Sequence, residues 1–404
     1  MTHMLEAFLR SFALPAAAIL VFGGCAELPP LVGPAAQACP ACAECQQCPA
    51  PARPAEARYQ QTPFAAIPGW PNALLAPGVQ AFGAGCKRIA PSHSLRRACD
   101  NLPASPPGDE HAARQFIEAW FSAWAVTSAE GKAEGLITGY YEPVLAGSRS
   151  RTDRFRHPVY GVPDDLVAVD LESVIPELKG LRLRGRLEGN RLLPYLSRGE
   201  IESRTPFRAP VLAWVEDPVE LFFLQIQGSG QIELNSGGRL RLGYGDQNGH
   251  PYRSMGRYLI QRGELALEQT SMQGIKAWAA ANPHKLREAM DSNPSYVFFR
   301  QMPDTLDGPL GTLGAPLTAG HSIAVDPRSV PLGAPVFLAT TMPLSTEPLN
   351  RLMAAQDTGG AIRGAVRADF FWGAGIEAGT LAGRMRQQGR MWILWPRGEP
   401  LPKY

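Results

Sequence analysis

Over most of this chain apolar and polar residues alternate in short bursts. LITGYYE, APVLAWVED, LFFLQIQGSG, SIAVD, PVFLAT, LMAAQD and MWILWP are apolar or alternating runs bounded by Gly, Pro or Asp, and each predicts a strand. Helical spacing is rarer. Residues 112–126 set Phe116, Trp120 and Trp124 four apart beside Ile117 and Phe121, which predicts one helix with an apolar face. A second helical region follows Tyr252, with Met255, Tyr258 and Leu259 on one side. TSMQGIKAWAAAN comes next, then a helix that the proline of PHKLREAM opens and Asn293-Pro294 closes. Strands and helices do not alternate as in a doubly wound sheet, so a barrel or orthogonal sheet is expected. The 38 prolines and 41 glycines fit such a chain of short strands and many turns.

At 404 residues there is room for two domains, or for one large domain with an insertion. Charge and turn residues thicken between residues 145 and 241 while helix signals thin out, as an inserted β domain would show. A net charge of +2 from dispersed Lys and Arg gives no basis for binding nucleic acid. The N-terminus reads as a targeting segment. Arg10 precedes an apolar run over residues 12–22 that ends in Gly23-Gly24-Cys25. That run falls short of the roughly 20 residues needed to cross a bilayer, and its small closing residues suit cleavage. It resembles a bacterial lipoprotein signal, which implies a mature chain starting at a lipidated Cys25. Simple secretion and an uncleaved anchor are the alternatives. Ala26, in place of an aspartate, resembles lipoproteins sorted to the outer membrane.

Residues 26–62 then form a Pro/Ala-rich tether in which Cys39, Cys42, Cys45 and Cys48 recur every third residue. C-x-x-C repeats can supply thiolates to zinc or iron–sulfur sites, but a segment exported unfolded into an oxidising space favours a plain linker. Extended at roughly 3.1 Å per residue, it would reach on the order of 100 Å from a membrane. Cys86 and Cys99, at the start of the folded part, are expected to form a structural disulfide.

Chemistry concentrates near the C-terminus. AAQDTGGAIRGAVRADFFWGAG carries Asp357 and Asp369 across a glycine-rich turn, and Asp326 precedes them in SIAVDPRSVPLGAPVFL. Carboxylates between short apolar strands suit acid/base work on a polymer. The seven histidines are scattered with no pair at ligand spacing, so no metal is expected. Asp326, ahead of Pro327, fits a structural strand-end role. Tyr140 and Tyr141 alternate on one strand, so one faces the core and the other is free for a ligand, and Thr138 shares the side of Tyr140. Gln225 and Gln227 would share a face of LQIQGSG, with Ser229 and Gly230 in the following loop. Tyr244, Asp246 and Asn248 sit in a loop before a helix, divided between capping and ligand contact. Glu200 and Glu202 read as a surface or scaffold pair. Gly359, Gly360, Gly373 and Gly375 serve the backbone or permit close approach of a polymer.

Taken together, ITGYYEP, FLQIQGSGQI, GYGDQNGHPYRSMGRYLI, NPSYVFFR and the Asp326, Asp357 and Asp369 set resemble the membrane-bound lytic murein transglycosylase A family, with its C-terminal three-aspartate domain. The similarity spans roughly residues 80 to 398. It implies a mainly β fold with helices: a double-psi β-barrel domain with a smaller inserted β domain and a groove between them. The divisions expected are 1–25 for the signal, 26–62 for the tether, 63–144 and 242–404 for the barrel, and 145–241 for the insert. The activity implied is cleavage of the β-1,4 bond between N-acetylmuramic acid and N-acetylglucosamine in peptidoglycan, leaving a 1,6-anhydro end, with no cofactor. By motif position Asp369 is the acid/base and Asp357 its neighbour. Thr138, Tyr140, Tyr141, Gln225, Gln227, Ser229, Gly230, Tyr244, Asn248, Gly359, Gly360 and Trp372 are the substrate-contact candidates. The partners implied are glycan strands, the membrane through the lipid anchor and the cell-wall synthesis and division machinery, at the periplasmic side of the outer membrane.

An exposed aspartate with pKa near 3.9 holds its proton about one time in a thousand at neutral pH, a penalty of roughly 4 kcal/mol. Asp369 must therefore be raised, and Phe370, Phe371, Trp372 and a charged Asp357 are the means at hand. A muramidase using both carboxylates with water, and a non-catalytic wall-binding lipoprotein, are the competing readings.

Overall fold

The computed structural model describes residues 57–102, 108, 110–178, 181–204, 206–304 and 307–402. Cys25 and the four tether cysteines lie outside them. Among the described residues no helix is long and apolar enough to cross a membrane.

Two sheets organise the chain. The larger has eight strands, six of which close into a ring. The GYYE strand (Gly135–Glu142) pairs on one side with the DFFW strand (Ala368–Ala374) and on the other with the MWILWP strand (Arg386–Pro396). From there the ring runs through Pro335–Thr341, the AAQD strand (Pro348–Asp357) and the SIAV strand (Ser322–Val325) back to DFFW. Parallel and antiparallel pairs mix, and the result is a barrel. Its centre is apolar: Ile137, Ile323, Val336, Phe370 and Ile393 are all buried, while Phe337 and Leu352 face outward onto Trp70 and the helix Ala76–Cys86. The disulfide Cys86–Cys99, with Cα atoms 5.3 Å apart, ties two helices that pack on this body.

Six strands between Val144 and Met302 make the second sheet, and a three-stranded sheet flanks it. The strand Arg239–Gln247 belongs to this sheet and spans the boundary placed at residue 241. Helices Pro218–Gln227, Met255–Gln261, Met272–Ala281 and Pro283–Asp291 share an apolar cluster built on Phe222, Phe223, Leu259 and Trp278.

Three expectations change. The helix over residues 112–126 covers only Glu110–Trp120, and Phe121–Thr127 is a strand held between Arg58–Thr62 and MWILWP. Phe116 and Ile117 do face the core from the helix, but Phe121, Ala123 and Val126 are buried from the strand. Ladder pairing on both sides outweighs the four-residue aromatic spacing. Next, LFFLQIQ is a helix: Asp217 caps it by accepting from the N–H groups of Val219 and Glu220, Pro218 opens it, and Gly228 ends it at φ 78°. Finally, GYGDQ is not a loop but the end of the Arg239–Gln247 strand.

Candidate active site

The barrel pairing lines up one row of residues across five strands. Ala324 of SIAV is the register partner of Asp357 on one side and of Asp369 on the other. Asp369 is in turn opposite Thr138, and Thr138 opposite Arg386. Directly opposed residues share a face, so both aspartates and Thr138 look the same way. A register shift next to Ala324 leaves Gln356 as the extra residue on its strand. Gln356 is fully buried and bonds Ser322 and the Ala81 carbonyl, which lets Asp357 emerge on the open side.

Asp369 keeps part of its surface open, although protein surrounds it closely. The Thr138 hydroxyl donates to its Oδ1 at 2.6 Å. Arg367 Nη2 donates to the same Thr138 oxygen at 3.0 Å, which occupies one of its two lone pairs. With the Thr138 hydroxyl donating to Oδ1, a proton on this carboxyl sits on Oδ2. Burial raises the Asp369 pKa to about 6; the Thr138 bond and the Arg367 charge pull it down, and Asp357 adds to the rise.

Asp357 is engaged at both oxygens. Its Oδ1 accepts from the main-chain N–H of Thr312 at 2.9 Å, the Thr312 hydroxyl at 2.8 Å and the Thr358 N–H at 2.9 Å. Tyr140 donates to its Oδ2 at 3.3 Å. Burial raises the Asp357 pKa, and these bonds oppose the rise without cancelling it. Tyr140, its ring 5.2 Å from that of Phe371, is pushed well above the ordinary phenol range, chiefly by burial and then by the two aspartates.

Asp326 is buried away from this pair. It accepts from Arg328 at the N–H, Nε and Nη2 and from the Gly364 N–H at 2.8 Å, so it ties down the loop that joins the two aspartates. Burial alone would raise its pKa, but these bonds hold it below the ordinary value.

The remaining candidates divide. Thr138, Tyr140, Asp357 and Asp369 come together. Tyr141 turns to the opposite face, against Ala378 and Ala382, and its N–H donates to Gln227 Oε1 at 3.2 Å. Trp372 stacks near Phe370, ring centroids 4.6 Å apart, and donates to Met385 Sδ. Of the three aromatics expected to desolvate Asp369, alternation leaves only Phe371 on its side. Gln225 and Gln227 do not share a face, because two residues on a helix turn through about 200°. Gln225 is buried. Gly230 is packed where a Cβ would come within 2.2 Å of Leu224 Cδ1, while Ser229 stays half-exposed. Tyr244 lies under the Arg182 guanidinium, and Asp246 pairs with Arg184 at 2.9 Å. Asn248 is wholly buried: its amide donates to the Leu196 and Pro294 carbonyls and accepts from the Tyr296 N–H. That leaves it no group for a sugar, so it is corrected to a main-chain staple. Gly359 and Gly360 follow Asp357 in the open loop. Glu200 completes a capping box with Ser197, and Glu202 pairs with Arg198 and Arg287. Arg367 and Thr312 are the contacts that sequence reasoning missed. Arg367 stands two before Asp369, a spacing that already places it on the same side; Thr312 has no comparable signal.

The geometry sets two carboxyl groups on one face of the barrel wall, one raised by burial to about 6 and the other fixed by its neighbours. Comparison with known proteins gives the family. The family model of the MltA specific insert domain matches residues 136–300 and that of the 3D domain matches residues 321–395. The chain is 33% identical to the membrane-bound lytic murein transglycosylase A of Escherichia coli (strain K12) over 294 residues, 71% of this chain and 72% of that protein. The crystal structure of MltA from Neisseria gonorrhoeae in its monoclinic form is 41% identical, covers 87% of this chain and 99% of its own, and superposes with a TM-score of 0.77. E. coli MltA with bound chitohexaose is 28% identical, covers 84% of this chain and 94% of its own, with a TM-score of 0.62. The chain belongs to the membrane-bound lytic murein transglycosylase A family and is an enzyme of that kind.

Proposed function

We propose that this protein cleaves the β-1,4 bond between N-acetylmuramic acid and N-acetylglucosamine in peptidoglycan, with Asp369 as acid and then base. The single observation that carries the reading is Asp369 itself: a carboxyl raised to about 6, accepting at Oδ1 and open at Oδ2. Its Oδ2 proton passes to the bridging oxygen as the bond from C1 to that oxygen breaks. The C6 hydroxyl of the same sugar then forms the new C1–O6 bond and gives its proton back to Asp369. Atoms balance without water. Asp357 supports this division of labour as a fixed neighbour: its Oδ1 accepts three protein donors and its Oδ2 accepts from Tyr140. It holds Tyr140 and adds negative charge near the cationic sugar of the transition state.

In this reading glycan lies along the open face of the aspartate row, as the chitohexaose held by the E. coli relative suggests. The 144–302 part would form the other wall. Cys25 would be the lipidated residue that anchors the chain at the outer membrane, as the relatives' description as membrane-bound suggests, with the tether spanning to the wall.

The test is Asp369→Asn, assayed on purified sacculi with mass spectrometry of the products. The expected outcome is retained binding and no anhydro ends. Full activity in that variant, or label from heavy water in the new ends of wild-type products, overturns the mechanism.

A further inference from the structure

A cavity of about 460 Å³ holds neither aspartate. It opens between the barrel and the helices, floored by Tyr141, Phe223 and Met272. Two guanidinium groups line it, Arg257 and Arg386, and no carboxylate does. Among the described residues, no hydrogen bond, ion pair or ring contact engages either guanidinium. Arginines elsewhere in this chain are mostly occupied, as Arg184 is by Asp246, Arg198 by Glu202 and Arg241 by Glu142.

Arg386 also ends the aspartate row, directly opposite Thr138. Two strand spacings, about 10 Å, separate its main chain from that of Asp369. The GYYE strand pairs with MWILWP only over Gly135 to Thr138, so its later residues have a free edge there, and Gly139 and Tyr141 line the cavity from it. The cavity is positively charged and has no internal counter-ion; it lies on the Gly139 and Tyr141 side of the GYYE strand, behind the aspartate face, and Arg386 at its rim links it to the end of the aspartate row.

We infer that this cavity receives the acidic peptide carried by the muramic acid, with Arg257 and Arg386 pairing to its carboxylates. The inference rests on the function proposed above. A peptide of four or five residues, at roughly 3.3 Å each, extends about 13–17 Å, enough to run from a sugar beside Asp369 past Arg386 into the cavity. Guanidinium forks suit free carboxylates, and the apolar floor takes alanine methyls.

The experiment compares kcat/KM on glycan strands bearing their peptides with the same strands stripped by an amidase, for the full mature chain, Arg257→Gln, Arg386→Gln and Arg257→Lys. The wild type is expected to favour peptide-bearing strands. Each Gln variant should cut that preference by about tenfold, the loss of one charged hydrogen bond, and Lys should restore part of it. A preference that stays unchanged, or rates that fall equally on both substrates, overturns the inference. Calorimetry of a soluble peptide-bearing fragment binding to Asp369→Asn, with and without Arg257→Gln, reads the same contacts without turnover. If the wild type makes no anhydro ends, the function fails while this binding result stands; equal affinity in the two proteins sinks the cavity's role.

Discussion

Asp369 prefers its proton in the folded chain more than an ordinary aspartate does, and two consequences follow from the sign. Activity that needs the protonated acid should fall as pH rises through about 6. Arg367 favours the charged carboxylate, so Arg367→Met should move that limb to higher pH, whereas Arg367→Lys should leave it nearer its place. The groups facing Asp369 are Thr138 and Tyr140 from GYYE, Asp357 from AAQD and Arg367 from its own strand, and pH–rate profiles of the two variants read the Arg367 contribution directly. For stability, the folded value lies above the ordinary value near 3.8. The folded state therefore binds more proton between the two, and stability falls as pH rises from about 3.8 to 6 and then levels off. Asp369→Asn removes that cost. It should be more stable than wild type by about 3 kcal/mol at pH 7, with the gap closing near pH 4, checked by urea unfolding at both pH values. The two-residue period of a strand made Thr138 and Tyr140 legible as a pair. It places Arg367 with Asp369 by the same rule, but Thr312 arrives from 45 residues away and leaves no local trace.

Elements were legible where pattern and punctuation agree. SIAVD, PVFLAT and MWILWP are strands paired at both edges and buried on both faces, so their apolar runs have one reading. LFFLQIQ is apolar enough to be either state, and period alone does not separate a short buried strand from a buried helix. Its ends do. Asp217-Pro218 before the run and Gly228 after it are helix start and stop signals, and the structure uses all three. Asp217→Ala should therefore cost about 1 kcal/mol in urea unfolding. A loss confined to a few tenths would mean that packing of Phe222 and Phe223 alone holds the helix. The 112–126 segment fails for the converse reason: its aromatic spacing is helical by coincidence, and only partners from residues 58–62 and 392–396 make the second half a strand.

At the scale of the molecule the site exists only because the barrel closes. Thr138 and Asp369 are 231 residues apart in sequence and 2.6 Å apart in the bond that sets the acid. Composition and motif order pointed to a barrel and to the aspartates, but not to the register that brings them into line with Thr138, since register is set by contacts between distant segments. Gly135 sits at the start of the closing strand, where a Cβ would fall 1.8 Å from the Val366 carbonyl oxygen, a rigid neighbour. Gly135→Ala must push the GYYE strand away from the segment that carries Arg367 and Asp369. The expected result is a loss of up to about 3 kcal/mol in unfolding free energy. The residual folded enzyme should also show a displaced pH limb, because Thr138 moves with the strand. Removing the disulfide by Cys86→Ser with Cys99→Ser gives the contrast. That pair ties helices outside the ring, so its loss should lower stability by about 3 kcal/mol and leave the pH limb in place. If both variants shift the limb alike, the acid depends on overall rigidity; if only Gly135→Ala does, closure of the ring is what tunes it.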